Sequence, residues 1–184
     1  LAATGARILK YRFEYIDMIK TQAAESYSAI TAGREKFEVR YETFYKENSF
    51  DEEKAANLLF ESLISNREND IRRQFNGSGP HKDELQLDVK KKNARIYGSQ
   101  GQQRSCALSM KLGEASIIEK ITGECPVVLL DDVMSELDEG RQSFILNYLN
   151  NWQVFITCCD PSQLLRSEKG KAFEVVGGKI REME

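Results

Sequence analysis

The sequence predicts an α/β fold, a parallel sheet with helices, joined to a smaller α+β helical arm. Three observations predict it. Val127 to Leu130 is continuously apolar and rich in β-branched and leucine side chains, as in a strand covered on both faces. Strand, helix and strand alternate over the last third of the chain, an order that implies parallel pairing with crossover connections. Asn76-Gly-Ser-Gly-Pro80 collects turn residues between two stretches of different rhythm. The division is placed there, giving an arm over 1–77 and the α/β unit over 78–184.

Each element has its own signal. Ile8, Tyr11, Tyr15, Met18, Ile19, Ala23, Tyr27 and Ile30 recur at steps of three and four, which predicts one long amphipathic helix ending near Gly33. Leu1-Ala-Ala reads as mid-helix, so the chain is expected to be a fragment or a processed product. Phe37, Val39, Tyr41 and Tyr45 alternate with polar residues, as in a strand with one wet face. Ser49-Phe-Asp-Glu52 has the pattern of a capping box, with Asp51 as a competing cap. The helix that follows carries Ala55, Leu58, Leu59, Leu63 and Ile71 and is expected to run to about Phe75.

In the second part Leu85, Leu87 and Val89 alternate as a strand, Lys90 to Asn93 turns the chain, and Ala94 to Tyr97 is expected to return. Leu108, Leu112, Ala115, Ile118 and Ile121 mark one face of a helix closed by Gly123. A helix over Glu139 to Leu149, a strand over Val154 to Thr157 and a short helix after Pro161 follow. Phe173 to Val176 and Lys179 to Arg181 flank Gly177-Gly178 as a terminal hairpin.

Composition narrows the function classes. Hydrophobic residues make up 41% of the 184 and charged residues 30%, which reads as globular rather than disordered. No apolar run approaches the ~20 residues of a membrane span. A net charge of -3 offers no global attraction to nucleic acid, so any such surface must be local. Cys106, Cys125, Cys158 and Cys159 lack paired C-x-x-C spacing, and reduced thiols of a cytosolic protein are the better reading.

Two stretches carry chemistry. Asp131-Asp132 closes the apolar strand, and carboxylates at the C-terminal edge of a parallel sheet sit where ligands bind. One can hold magnesium and the other can orient or deprotonate a water during phosphoryl transfer. Adjacent strand residues point to opposite sides, so the two need not compete for one place. A solvated turn after a buried strand is the alternative. Tyr97-Gly-Ser-Gln-Gly-Gln-Gln-Arg104 runs into a helix. Glycine permits close backbone approach and a helix N-terminus offers free N–H groups to an anion. Ser99 and Gln102 add side-chain donors. An ordinary polar loop is the alternative here. No G-x-x-x-x-G-K-[ST] phosphate loop occurs in the chain.

Weaker signals allow two readings each. Arg72-Arg73 and Lys90-Lys91-Lys92 are either solvated charge runs or contacts to nucleic-acid phosphates. His81 reads as structural, and Tyr11, Phe13, Tyr15, Tyr41 and Tyr45 as packing groups.

The loop at 97–104 followed by the apolar strand with its two carboxylates resembles the signature loop and magnesium-binding strand of ABC-type ATPases. Gly79-Pro-His-Lys-Asp83, the 97–104 loop and Leu129-Leu-Asp-Asp-Val-Met-Ser-Glu-Leu-Asp138 together closely resemble the RecF family of bacterial recombination-repair ATPases. The likeness implies that 78–184 is the C-terminal lobe of an ABC-type P-loop ATPase head and 1–77 a helical arm. It implies ATP and Mg2+ as cofactors, with Asp131 on the metal and Asp132 on the attacking water. Ser99, Gln100, Gly101, Gln102 and Gln103 would contact the γ-phosphate of ATP held on the opposite subunit, and Ser135 and Asp138 would belong to the D-loop. The implied activity is a weak ATPase as a full-length dimer, with the 184 residues alone inactive. The implied partners are single-stranded or gapped duplex DNA, a second copy of the chain, RecO, RecR and RecA, in the bacterial cytoplasm and with no membrane. Two departures stand out. Asp132 is where many ABC proteins have glutamate, and Thr157-Cys158-Cys159 is where transporters carry a switch histidine. Another SMC-like ATPase, or a module that binds DNA or protein without nucleotide, are the alternatives.

Overall fold

The computed structural model describes residues 1–47, 49–134, 137–149, 152–159 and 170–183. The expected helix after Pro161 falls outside them.

The first element is α1 (Ala2–Ile30). It ends where Ala32 and Gly33 adopt φ of 50° and 70°, and the Gly33 N–H closes back on the Ser28 carbonyl at 2.7 Å. β1 (Phe37–Glu42) follows, then α2 (Glu52–Arg73). The competition for the α2 cap is won by Asp51, whose carboxylate accepts the Lys54 N–H at 2.8 Å. The Ser49 carbonyl accepts the Tyr45 hydroxyl instead, so the expected Ser49 capping box does not form. α2 ends at Arg73, with Gln74 left-handed.

β2 (Glu84–Val89) pairs antiparallel with β1 along its whole length, Phe37 opposite Val89 and Glu42 opposite Glu84. Residues on both sides of position 77 therefore share one sheet. Lys90 and Lys91 both have positive φ, 51° and 65°. That geometry is the tight reversal that matches strand twist. The return is shorter than expected. β3 is only Lys92–Asn93, and Ala94–Tyr97 forms a helical turn, α3, capped by Asn93. The Asn93 side chain takes the Arg95 N–H at 2.9 Å, which turns the backbone out of the strand.

α4 (Gln100–Thr122) ends on left-handed Gly123, as expected. β4 (Val128–Asp131) and β5 (Val154–Thr157) pair in parallel across α5 (Glu139–Tyr148). β6 (Phe173–Val176) and β7 (Lys179–Glu182) form the terminal hairpin around Gly177 and Gly178.

α1 is the spine, with α2 and α4 packed against it. Its contact with α4 is close because Gly113 has no side chain. A Cβ there would lie 2.9 Å from the Ala23 nitrogen and 3.1 Å from Ile19 Cδ1. One core cluster joins Ala23, Tyr27, Phe37, Val39, Val89 and Cys106 between α1, the first sheet and α4. Tyr27 stacks on Phe37 with ring centroids 4.7 Å apart. A second cluster sets Leu108, Leu112, Leu130, Ile145 and Leu149 between α4, β4 and α5.

Packing expectations on four elements need correction. Along α1 the buried positions are Gly5, Ala6, Leu9, Ile19, Ala23, Ser26, Tyr27 and Ile30, while Ile8, Tyr11, Tyr15 and Met18 are exposed. The N-terminal half of the helix is apolar on two faces, and α2 with the Pro80 turn covers the one through Leu9. On α2 only Ala55 and Leu59 are buried, and on α4 Ile118 and Ile121 stay exposed. β4 is covered on one face rather than two. Leu130 is 6% exposed, but Leu129 is 73% and its β5 neighbour Phe155 56%. Among the described residues, helices pack on only one side of this two-stranded sheet.

Candidate functional site

Asp131 is the last residue of β4 and lies opposite Thr157, the last of β5. The Thr157 hydroxyl donates to Asp131 Oδ1 at 2.5 Å and accepts the Asp132 N–H at 3.0 Å. The Asp132 N–H also points to the Thr157 carbonyl at 3.2 Å. One hydroxyl thus fixes the carboxylate of the first aspartate and the backbone of the second. Asp132 has φ of 50°, in the left-handed region that aspartate tolerates better than most residues. It is already past the strand. The alternation of side chains that separates neighbouring strand residues does not reach it, and the left-handed turn sets its direction instead. Both carboxylates are exposed.

The 97–104 loop is a tightly bonded helix start. Ser99 caps α4, its hydroxyl accepting the Gln102 N–H at 3.3 Å while Gln102 Oε1 accepts the Ser99 N–H at 2.9 Å. This reciprocal box satisfies two of the orphan donors of the first turn. The Gln102 amide nitrogen donates to Glu35 Oε1 at 2.9 Å, so both ends of that side chain are engaged. Gln103 donates to the Arg95 and Gly98 carbonyls at 3.3 and 3.2 Å. Gln100 is exposed. Gly98 is obligatory, since a Cβ would fall 2.4 Å from the Ala94 carbonyl oxygen. At Gly101 the constraint is a side chain from another element, because a Cβ would meet Arg141 Nη1 at 2.6 Å.

Asp138 caps α5, its carboxylate accepting the Arg141 N–H at 3.0 Å. Ser135 lies outside the described residues. Asp131 and Asp132 therefore gather with Thr157 at one edge of the parallel pair. Ser99 to Gln103 gather with Glu35, Arg141 and Asp138 at the starts of α4 and α5.

Glu35, which sequence reasoning passed over, accepts from the Tyr27 hydroxyl at 2.8 Å, from Gln102, and from Lys90 Nζ at 3.2 Å. Burial pushes its carboxyl up, but these three donors outweigh burial and hold it below its ordinary value. Lys90 is thereby paired, while Lys91 and Lys92 are exposed at the hairpin tip. Arg72 and Arg73 are exposed at the end of α2, with Arg72 bonded to Asn69. The His81 ring Nε2–H donates to the Asn76 carbonyl, 2.8 Å away, beside the Gly-Pro-His-Lys turn. That turn is anchored through Asp83, whose carboxylate is nearly fully buried and bonded to Tyr41 and Arg12. Burial first, and the bond to Asp83 next, push the Tyr41 hydroxyl up to about 12.

No group of three or more His, Cys, Asp or Glu side chains among the described residues could hold a metal by itself. The donor set still fits magnesium, which is commonly held by one or two carboxylates with water and substrate phosphates filling the other positions. Asp131 supplies such a carboxylate on a rigid strand end. No helix of the described residues is long and apolar enough to cross a membrane.

No family model matches the chain. Individual relatives do. A DNA replication and repair protein RecF of Clostridium perfringens is 38% identical over 183 residues, covering 98% of this chain and 50% of that protein. RecF of Lactobacillus acidophilus is 40% identical over 163 residues, covering 87% and 44%. The chain thus spans about half the length of the curated relatives it matches. Among solved structures, the recombination mediator protein RecF-ATP in the RecFOR pathway superposes over 100% of this chain and 49% of its own. It does so at a TM-score of 0.83 with 34% identity. A structure of SMC ATPases matches at a TM-score of 0.56 with 13% identity, which shows a shared fold. Identity of this order across nearly the whole chain, on the same fold, shows that these residues belong to the RecF family of DNA replication and repair proteins.

Proposed function

We propose that these residues are the C-terminal lobe and arm of an ATPase head that closes on ATP between two copies of the chain and binds DNA when closed. The single observation that carries the reading is the strand-edge carboxylate Asp131, locked by Thr157, in a chain that also starts α4 with a capped Ser-Gln-Gly-Gln turn. Solved relatives described as RecF-ATP agree with it.

Asp131 would hold Mg2+, and Asp132 would orient the attacking water. The metal, when bound, supplies neutralisation of charge on the phosphate oxygens. Asp132 is one methylene shorter than glutamate, which favours slow turnover. Ser99, Gln100, Gly101, Gln102 and Gln103 would meet the γ-phosphate held by the partner, with Asp138 and Ser135 at the same interface. Residues 1–77 would act as an arm whose base, α1 and β1, is built into the head. Arg72, Arg73, Lys90, Lys91 and Lys92 would contact the phosphates of single-stranded or gapped duplex DNA. The role would be gap repair in the bacterial cytoplasm, with RecO and RecR, to load RecA.

The test is DNA binding and self-association of the full-length chain with and without Mg-ATP. Asp131→Asn and Ser99→Arg should each abolish the ATP-stimulated part. Binding that ignores both nucleotide and these substitutions would instead mark a nucleotide-independent module.

A further inference from the structure

Arg141 joins the two loops that the proposed function places against a second subunit. We propose that it is a positioning residue, clamping the Ser99–Gln103 turn to the start of α5 so that the signature loop and the D-loop meet the partner as one unit. This rests on the ATP-sandwich reading given above.

Its backbone N–H and its Nη1 both address the Asp138 carboxylate, at 3.0 and 3.4 Å. The same Nη1 occupies the space above Gly101, where a Cβ would come within 2.6 Å. The guanidinium thus lies against the signature turn although its residue starts 40 positions later in the sequence, and a Cβ at 101 would displace it. The side chain is only 15% exposed.

Beyond the Asp138 cap on its backbone N–H, the Arg141 side chain adds little to stability. Arg141 lies in the first turn of α5 and packs on the first turn of α4, so a cation sits at the positive ends of two helix dipoles. Its Nε is buried without an acceptor, the one such side-chain atom identified among the described residues. Its carboxylate partner Asp138 is 57% exposed, where an ion pair contributes little. What the arrangement does provide is geometry. One nitrogen of the planar guanidinium, Nη1, lies against both Asp138 and Gly101, so the group packs between the two loops.

The experiment uses the full-length protein, with ATP-dependent self-association measured by sedimentation and Tm measured in parallel. Arg141→Gln should weaken ATP-dependent self-association by about tenfold or more, with Tm unchanged or raised. Gly101→Ala, which displaces the guanidinium, should reproduce the loss. Arg141→Lys should not restore association, because lysine lacks the fork. Unchanged association in Arg141→Gln overturns the proposal. So does a fall in Tm with association intact, which would make the residue merely structural. If Arg141→Gln fails to fold, Arg141→Lys decides: weak association at normal Tm supports the clamp, and normal association overturns it. Ser99→Arg is the control. Intact ATP-dependent association in Ser99→Arg overturns the ATP-sandwich reading itself. Loss there with none in Arg141→Gln overturns the Arg141 clamp alone.

Discussion

Glu35 gathers Tyr27, Gln102 and Lys90 on one carboxylate, and its lowered pKa makes that gathering pH-dependent. A carboxyl depressed on folding contributes stability that is fully present above its unfolded value, about 4.3, and is lost as pH falls through the folded value. The difference in Tm between the wild type and Glu35→Gln should therefore shrink as pH is lowered below about 4.3. Thermal melts across pH 3 to 7 would show it, and a constant difference would contradict it. Thr157 poses a second question at this scale. Its hydroxyl serves both Asp131 and Asp132, so Thr157→Val should cost about 1–2 kcal/mol of stability and weaken magnesium binding, while Thr157→Ser keeps both. Denaturant melts and magnesium titration by calorimetry of the full-length chain separate the two effects. Cys106 is buried and its thiol is pushed up to about 12, so it should resist alkylation at neutral pH while exposed Cys159 reacts; the hydrogen bond to Glu119 also pushes the Cys125 thiol up.

Helix starts and close contacts decide the stability of the elements. Asp51 is the working cap of α2, and Asp51→Ala should destabilise by about 1 kcal/mol, whereas Ser49→Ala should be nearly silent. Urea melts of the two variants test that assignment directly. The α1–α4 contact depends on Gly113, because backbone as well as side chain of α1 stands against it. Gly113→Ala should cost about 1–3 kcal/mol through overpacking. The same denaturant series would read it, with an unchanged midpoint ruling out the close approach.

The whole molecule presents apolar surface that its own described residues do not cover. Leu129, Phe155 and Val127 lie exposed on the parallel pair, and Ile8, Tyr11 and Met18 on α1. A chain of about half the length of its relatives, without a phosphate loop, is expected neither to bind ATP tightly nor to hydrolyse it. Phosphate release from the isolated 184 residues, compared with the full-length protein, checks this. A robust rate from the isolated chain would contradict it.

Local signals were strong where local forces dominate. The strands over 128–131 and 154–157, the Gly123 stop and the Gly177-Gly178 turn were legible in the sequence, because periodicity, β-branching and glycine act within a few residues. So was the order that makes the pair parallel, and with it Asp131 at the C-terminal edge of the pair. Which face of α1 is buried was not legible, since its first half is apolar on two sides and packing chooses between them. Nor were the contacts that Thr157, Glu35 and Arg141 make. Glu35 stands 67 residues from Gln102, and Thr157 stands 26 from Asp131. Their hydrogen bonds exist only once the elements have packed. The sequence by itself determined the α/β class, the family motifs and the strand-end carboxylates. Only the tertiary structure decided what holds those motifs in place, because contacts between distant residues leave no periodic trace in the chain.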